Sequence, residues 1–259
     1  MVAIKRFLAA SDGSRDGEHA VAVACTLAQR AGGEFTRLEV EAAPAAWEPG
    51  LDWWAQAATP GGTATRLRGL PGVEIVRHAE TWGADLVVLG RHGRTATGPF
   101  TLGQTSDAVI RRRTGLSLFA PTGTQAIRRA LIALDGSFRG LGVLGPTAAF
   151  LDMIQVRAFA ICVLPGSEPS AAEESPCPDP RSERVRALVD RLPLASGPCD
   201  LLVRWGDPIR EILGAIESTN ADLLVLGVRR GGAPGDLGSG HVGRDLLQTA
   251  PCAVLTVPI

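Results

Sequence analysis

The residues of this 259-residue chain whose types and spacing best suit binding chemistry are glycines 90, 93 and 103, with an aspartate near the start. Gly90 and Gly93 close the segment ADLVVLGRHG, an apolar run that ends in a turn. Gly103 comes directly before a segment with helical spacing. Glycine lets a backbone approach a ligand closely and adopt positive φ. A helix that starts after Gly103 presents unpaired N–H groups and the positive end of its dipole. The combination suits a chain of phosphates, although glycines in a loop are also ordinary turn chemistry. Asp12, in SDGS, follows the first apolar segment and is the second polar signal at a strand end.

Other candidate chemistries read more plainly. His92 lies inside the glycine loop and reads as a turn residue rather than an acid–base group. Arg111, Arg112 and Arg113 end a predicted helix, where cations suit the dipole, and read as a solvated helix end rather than a nucleic-acid patch. Trp47, Trp53 and Trp54 either cover a ligand or partner or, the preferred reading, pack over a shortened connection in place of a full helix. Cysteines stand at 25, 162, 177, 199 and 252 with no CxxC pair, so neither a disulfide framework nor a zinc site is expected. Cys252 begins an apolar strand and reads as buried and inert. No Ser-His-Asp grouping, HExxH or Walker loop stands out, so no catalytic residue and no metal ligand is assigned.

The elements that must position these residues occur twice. ADLVVLG recurs as ADLLVLG, so that Asp85 and Asp222, Gly90 and Gly227, Gly103 and Gly240, and Pro121 and Pro258 all share a lag of 137 residues. SDGS at 11–14 matches LDGS at 134–137 with a lag of 123, so the second half carries about 14 more residues. The polar, proline-rich stretch 165–182 is their expected place, as a surface loop. Each half reads as alternating strands and helices. In the first half RFLAA, FTRLEV, ATRLRG, DLVVLG and LSLFA are the strand candidates. Ala20, Ala24, Leu27, Ala28 and Ala31 share one helical face, VEIVRHAETWG forms a helix, and a third helix runs over about 105–113. Continuous apolar runs such as DLVVLG suit strands buried on both faces of a parallel sheet. Alternation of this kind implies open α/β sheets with right-handed crossovers, whose ligands sit beyond the carboxyl ends of the strands.

Composition bounds the rest. The chain is 45% hydrophobic with a formal net charge of -1, enough for real cores and without a basic field for nucleic acid. The N-terminal MVAIKRFLAASDGS does not read as a signal peptide. The most apolar region, 150–164, is broken by Asp152 and Arg157 and is not expected to span a membrane. A soluble cytoplasmic protein with reduced thiols is expected, with no nucleic-acid or membrane partner.

Both halves resemble universal stress protein domains. The resemblance rests on SDGS and LDGS, GADLVVLGRHG and ADLLVLG, GDP at 206–208 and APCAVLTVP at 250–258, and covers nearly the whole chain. It implies two tandem flavodoxin-like or Rossmann-like α/β domains, 1–122 and 126–259, each an open five-stranded parallel sheet of order 3-2-1-4-5 with helices on both faces. ATP-binding members of that family carry a loop G-x2-G-x9-G-[ST]. Gly90, Gly93 and Gly103 match its glycines, Gln104 stands where Ser or Thr is expected, and Thr105 follows. The resemblance therefore implies ATP, with Mg²⁺ or Mn²⁺ held through the phosphates. Asp12 would face the ribose, the backbone near Val40 would meet adenine, and Gly90, Gly93 and Gly103 with Gln104 and Thr105 would hold phosphate. Ala10 and His92 complete the implied set.

The corresponding second-half set is Asp135, Val163, Gly227, Arg230, Gly240 and His241. Here Arg230 replaces the middle glycine and His241 the Ser/Thr, with Gly231 and Gly232 one and two residues late. A side chain at 230 blocks backbone approach, or Arg229 and Arg230 meet phosphate by charge; the first half is the preferred nucleotide site. Members commonly pair through their last strands, so LSLFA and AVLTV are expected to pair within one chain as a pseudo-dimer. A homodimer would then use another surface. The implied role is a regulatory, stress-linked nucleotide binder with an unidentified protein partner and no enzymatic activity. The alternatives are a nucleotide-free structural or protein-interaction module and a slow ATP hydrolase.

Overall fold

The computed structural model describes residues 3–42, 55–59, 62–93, 103–124, 126–166, 179–192, 194–229 and 241–259. Trp47, Trp53 and Trp54 lie outside the described residues.

The first half runs β1 (Arg6–Ser11), α1 (Arg15–Ala31), β2 (Glu34–Ala42), β3 (Ala55–Thr59), β4 (Gly62–Gly69), α2 (Pro71–Trp82), β5 (Leu86–Leu89), α3 (Gln104–Arg112) and β6 (Leu116–Phe119). The second half runs β7 (Arg129–Leu134), a 3-10 turn (Gly140–Val143), α4 (Leu144–Ile154), β8 (Arg157–Leu164), α5 (Pro180–Val189), β9 (Asp200–Trp205), α6 (Pro208–Thr219), β10 (Leu223–Val228), α7 (His241–Thr249) and β11 (Ala253–Pro258).

Local sequence accounts for the boundaries. Ser14 caps α1 by accepting from the Gly17 amide, Asp16 and Glu18 sit in the first turn, and Gly32 closes the helix in the left-handed conformation. Pro71 opens α2, and Pro208 opens α6 behind the Asp207 cap. The aspartates of the repeated ADL motif have a structural task. Asp85 accepts from the amides of Lys5 and Arg6, and Asp222 from those of Arg128 and Arg129, so each pins the entry to the first strand of its half.

The strands form one 11-stranded sheet in the order β3-β4-β2-β1-β5-β6-β11-β10-β7-β8-β9. Its parallel portions, β4-β2-β1-β5-β6 and β9-β8-β7-β10-β11, each reproduce the order 3-2-1-4-5. The seam is antiparallel: Leu118 of β6 faces Leu255 of β11, and the Thr256 hydroxyl donates to the Ser117 carbonyl at 3.2 Å. The last strand of each half thereby covers the other's edge. α1, α4 and α5 cover one face of the sheet, and α2, α3, α6 and α7 the other. The runs LVVL in β5 and AVLTV in β11 are buried throughout, as strands covered on both faces must be.

The structure corrects three expectations. The first half has a sixth strand: β3 lies antiparallel on β4 at the sheet edge, with Thr59 opposite Gly62. The sequence signal for it is the PGG at 60–62, a pattern that favours a turn between two strands. The proline-rich 165–182 segment does not end as loop, because Asp179 caps α5 and Pro180 opens it. Arg113 is no part of a solvated helix end. It is 3% exposed and donates through Nε to the Leu116 carbonyl and through Nη2 to that of Ala84, while burial pushes its pKa down to about 10. Arg111 pairs with Asp107 along α3, and only Arg112 is exposed.

Candidate functional site

The carboxyl ends of β1, β2 and β5 open on one edge of the sheet, and β1 and β5 are neighbours where the strand order reverses. Ala10 is buried near the end of β1, paired with Leu38 and Leu89. Val40 lies half-buried near the end of β2, opposite Leu67. Asp12 is exposed at the turn after β1, where its Oδ1 accepts the Ser14 amide at 2.9 Å.

The glycine loop closes on this turn. A Cβ on Gly90 would lie 2.7 Å from the Asp16 carbonyl carbon and 2.9 Å from the Gly17 nitrogen, so a side chain there would push the loop off the start of α1. A Cβ on Gly93 would lie 3.0 Å from Asp12 Oδ2, and one on Gly103 would lie 3.9 Å from the Gly93 nitrogen. The three glycines and Asp12 are thus brought together. Gly103 is the residue before α3 and supplies no side-chain cap; the Asp107 amide makes the first helical bond to its carbonyl. The amides of Gln104 and Thr105 come before that bond, at the positive end of the helix. Gln104 is exposed, and the Ser106 hydroxyl donates back to the Gly90 carbonyl at 3.4 Å.

His92 is tied to the start of α1. Its amide donates to Asp16 Oδ2 at 3.1 Å, and its Nδ1 lies 3.2 Å from the same oxygen. Asp16 Oδ1 accepts the Thr122 amide at 3.0 Å and the Thr122 hydroxyl. Burial pushes the Asp16 carboxyl up, but the hydrogen bonds from Thr122 and His92 outweigh it and hold the pKa below the ordinary value. Arg91, 6% exposed, turns the other way and donates to the carbonyls of Ala250 and Cys252, each at 2.6 Å. Sequence reasoning missed Asp16, Arg91 and Thr122. The only available signal was a charged residue in each of two turns, which is unremarkable at a surface.

A second polar cluster lies on the α1 face beside β1 and β2. Ser11 Oγ donates to Glu18, Arg37 bridges Glu18 and Glu39, and Arg66 adds a second bond to Glu39. The bonds from Arg66 lead in holding the Glu39 carboxyl below its ordinary pKa.

The second half repeats part of this arrangement and departs from it elsewhere. Asp135 repeats the turn, accepting the Ser137 amide at 2.9 Å, and Val163 lies half-buried near the end of β8. The turn is covered by α5, however: Arg184 Nη1 donates to the Gly136 carbonyl at 2.7 Å, and the guanidinium stacks 4.4 Å from the Phe138 ring. Gly227 falls inside β10, and a Cβ there would meet Val143 Cγ2 at 2.7 Å. Arg230 and Gly240 lie outside the described residues, and His241 is the first residue of α7.

An open α/β sheet with a helix start at its switch point places the chain in the doubly wound α/β class, whose ligands sit beyond the carboxyl ends of the strands. The model of the Universal stress protein family matches residues 54–114 and 126–258, and the chain belongs to that family. The first match takes in the glycine loop and α3, while Asp12 and Val40 precede it. A universal stress protein from Thermus aquaticus, encoded 3′ of a QAH/OAS sulfhydrylase, is 40% identical over 78 residues, which cover 30% of this chain and 56% of that relative. The solved structure of a universal stress protein from Archaeoglobus fulgidus superposes with a TM-score of 0.71 at 16% identity, covering 99% of both chains. A putative universal stress protein from Pseudomonas aeruginosa gives 0.66 at 12% identity, covering 99% of this chain and 94% of that one. These likenesses establish the fold. No helix among the described residues is long and apolar enough to cross a membrane.

Proposed function

We propose that the first half binds an adenine nucleotide, ATP with Mg²⁺ or Mn²⁺, where the Asp12 turn meets Gly93 and the start of α3. The observation that carries this reading is the convergence of Asp12, Gly93 and Gly103 at the start of α3, in a cradle that a Cβ on Gly93 would narrow against Asp12. The donor set suits the ligand at both ends. A carboxylate accepts ribose hydroxyls and repels phosphate, so Asp12 belongs at the ribose. The Gly93 amide and the first amides of α3, at Gln104 and Thr105, suit the phosphates. The His92 amide is engaged by Asp16 and contributes by fixing the loop. The bound metal would neutralise phosphate charge.

The second half reads as a scaffold, since α5 covers its turn and Val143 packs on Gly227. The division into domains 1–122 and 126–259, a cytoplasmic location, the working of the seam as an internal pseudo-dimer and a regulatory role in stress all belong to this proposal. Binding rather than turnover is favoured because Asp16 is committed to structural hydrogen bonds and Asp12 lies at the ribose end. The test is to identify the nucleotide released from natively purified protein and to titrate MgATP into the emptied protein. Absence of ATP in the extract together with no binding in the titration would refute the reading and leave the protein-interaction module.

A further inference from the structure

We infer that Arg91 is a positioning residue through which the second half of the chain holds the first half's phosphate loop in its binding geometry. The inference rests on the nucleotide reading of that loop. A guanidinium is rarely buried without a carboxylate partner, yet the Arg91 acceptors are two backbone carbonyls. Those carbonyls, of Ala250 and Cys252, flank the link between α7 and β11. Ala250 directly follows α7 and its amide bonds back to Leu246, so Arg91 sits at the negative end of that helix dipole. A residue of the first half therefore caps a helix of the second across the β6–β11 seam.

The adjacent residue is held from the other side. His92 bonds to Asp16, and Asp16 to Thr122 just beyond β6. With Arg91 drawn to the seam and His92 to α1, Gly93 is left facing Asp12 and Gly103. Neither tether is repeated. By the 137- and 123-residue lags, Val228 stands at the position of Arg91 and Arg139 at that of Asp16. Among the described residues the dependence accordingly runs from the first site to the second half, with no counterpart in the other direction. Because coupling between equilibria is reciprocal, nucleotide bound at the loop must in turn stabilise the segment that Arg91 holds.

The experiment uses the full chain as wild type, Arg91→Met and Arg91→Lys. Hydrogen exchange is followed without nucleotide and with saturating MgATP, alongside calorimetric MgATP titration. Lysine retains charge but lacks the planar two-nitrogen fork that reaches the two carbonyls, so it separates geometry from charge and serves if the Met variant does not fold. Without nucleotide, both variants are expected to exchange faster than wild type at residues 90–93. MgATP affinity is expected to fall about tenfold in Arg91→Met, within the usual range of site coupling, and by less in Arg91→Lys. In wild type, MgATP is expected to slow exchange at residues 250–256, an effect that Arg91→Met abolishes. Affinity within twofold of wild type in folded Arg91→Met, or in Arg91→Lys where the Met variant does not fold, or no effect of bound MgATP at residues 250–256 of wild type, would overturn the inference. If wild type binds no MgATP, the nucleotide reading fails. The tether is then judged on nucleotide-free exchange alone: faster exchange at 90–93 in the variants supports it, and unchanged exchange overturns it.

Discussion

Replacing Asp16 by Asn tests the link between loop and seam with little change of shape. The carboxylate accepts the His92 amide on one oxygen and the Thr122 amide and hydroxyl on the other. An Asn side chain has one acceptor and one donor end, so in either orientation its NH₂ meets a backbone N–H. At least one amide at this 9%-exposed position loses its acceptor. Leaving a buried donor unpaired costs about 1–3 kcal/mol, and loss of the charged acceptor weakens the surviving bonds as well. We expect a destabilisation of about 2 kcal/mol at pH 7, or roughly 4–8 °C in Tm for a chain of this size. The pH dependence has a definite sign. The folded pKa of Asp16 lies below its ordinary 3.8, so the stabilisation is complete above that value and lost as pH falls through the folded pKa. Urea unfolding of both proteins from pH 7 down to pH 3 measures it, and the gap between them should narrow only below about pH 4. A gap under about 0.5 kcal/mol at pH 7, the range of ordinary surface substitutions, or a gap unchanged down to pH 3, would refute the reasoning.

Gly93→Arg should abolish MgATP binding by filling the space beside Asp12, while Gly232→Arg in the second half should leave the calorimetric titration unchanged. Equal loss in both would remove the assignment to the first half. Phosphate release under saturating MgATP should stay below about 1 per second, under the usual enzyme range. Sustained release above that rate, absent in Gly103→Arg, would make the protein an ATPase. Cys25, half-exposed, should be alkylated ahead of Cys162, Cys199 and Cys252 in native protein at pH 8. Burial pushes those three thiols up to about 11, 12 and 11. Labelling of Cys252 as fast as Cys25, read by mass spectrometry, would show that the seam opens readily.

What the amino-acid sequence determined by itself was local and periodic. Apolar runs such as LVVL, capping residues such as Ser14 and Asp207, and the stops at Gly32 and Gly83 act within a few residues, so they place strands and helices without knowledge of the fold. The repeat added the division into halves, because the same buried strand is needed twice, and the spacing of Gly90, Gly93 and Gly103 marked the loop. Only the tertiary structure decided which charges became buried. Arg113 reads as part of a solvated helix end, and nothing in the sequence singles out Arg91 or Asp16, since their acceptors and donors lie up to 161 residues away in sequence. Likewise Asp85 and Asp222 read as part of a motif, whereas the fold uses them to anchor the entry to β1 and β7. β3 was missed because its short AQAAT is no more apolar than a loop and becomes a strand only where β4 offers an open edge. Backbone propensity and periodicity are properties of neighbours in sequence, while the partner of a buried charge is set by chain crossings, and those exist only once the sheet has closed at its seam.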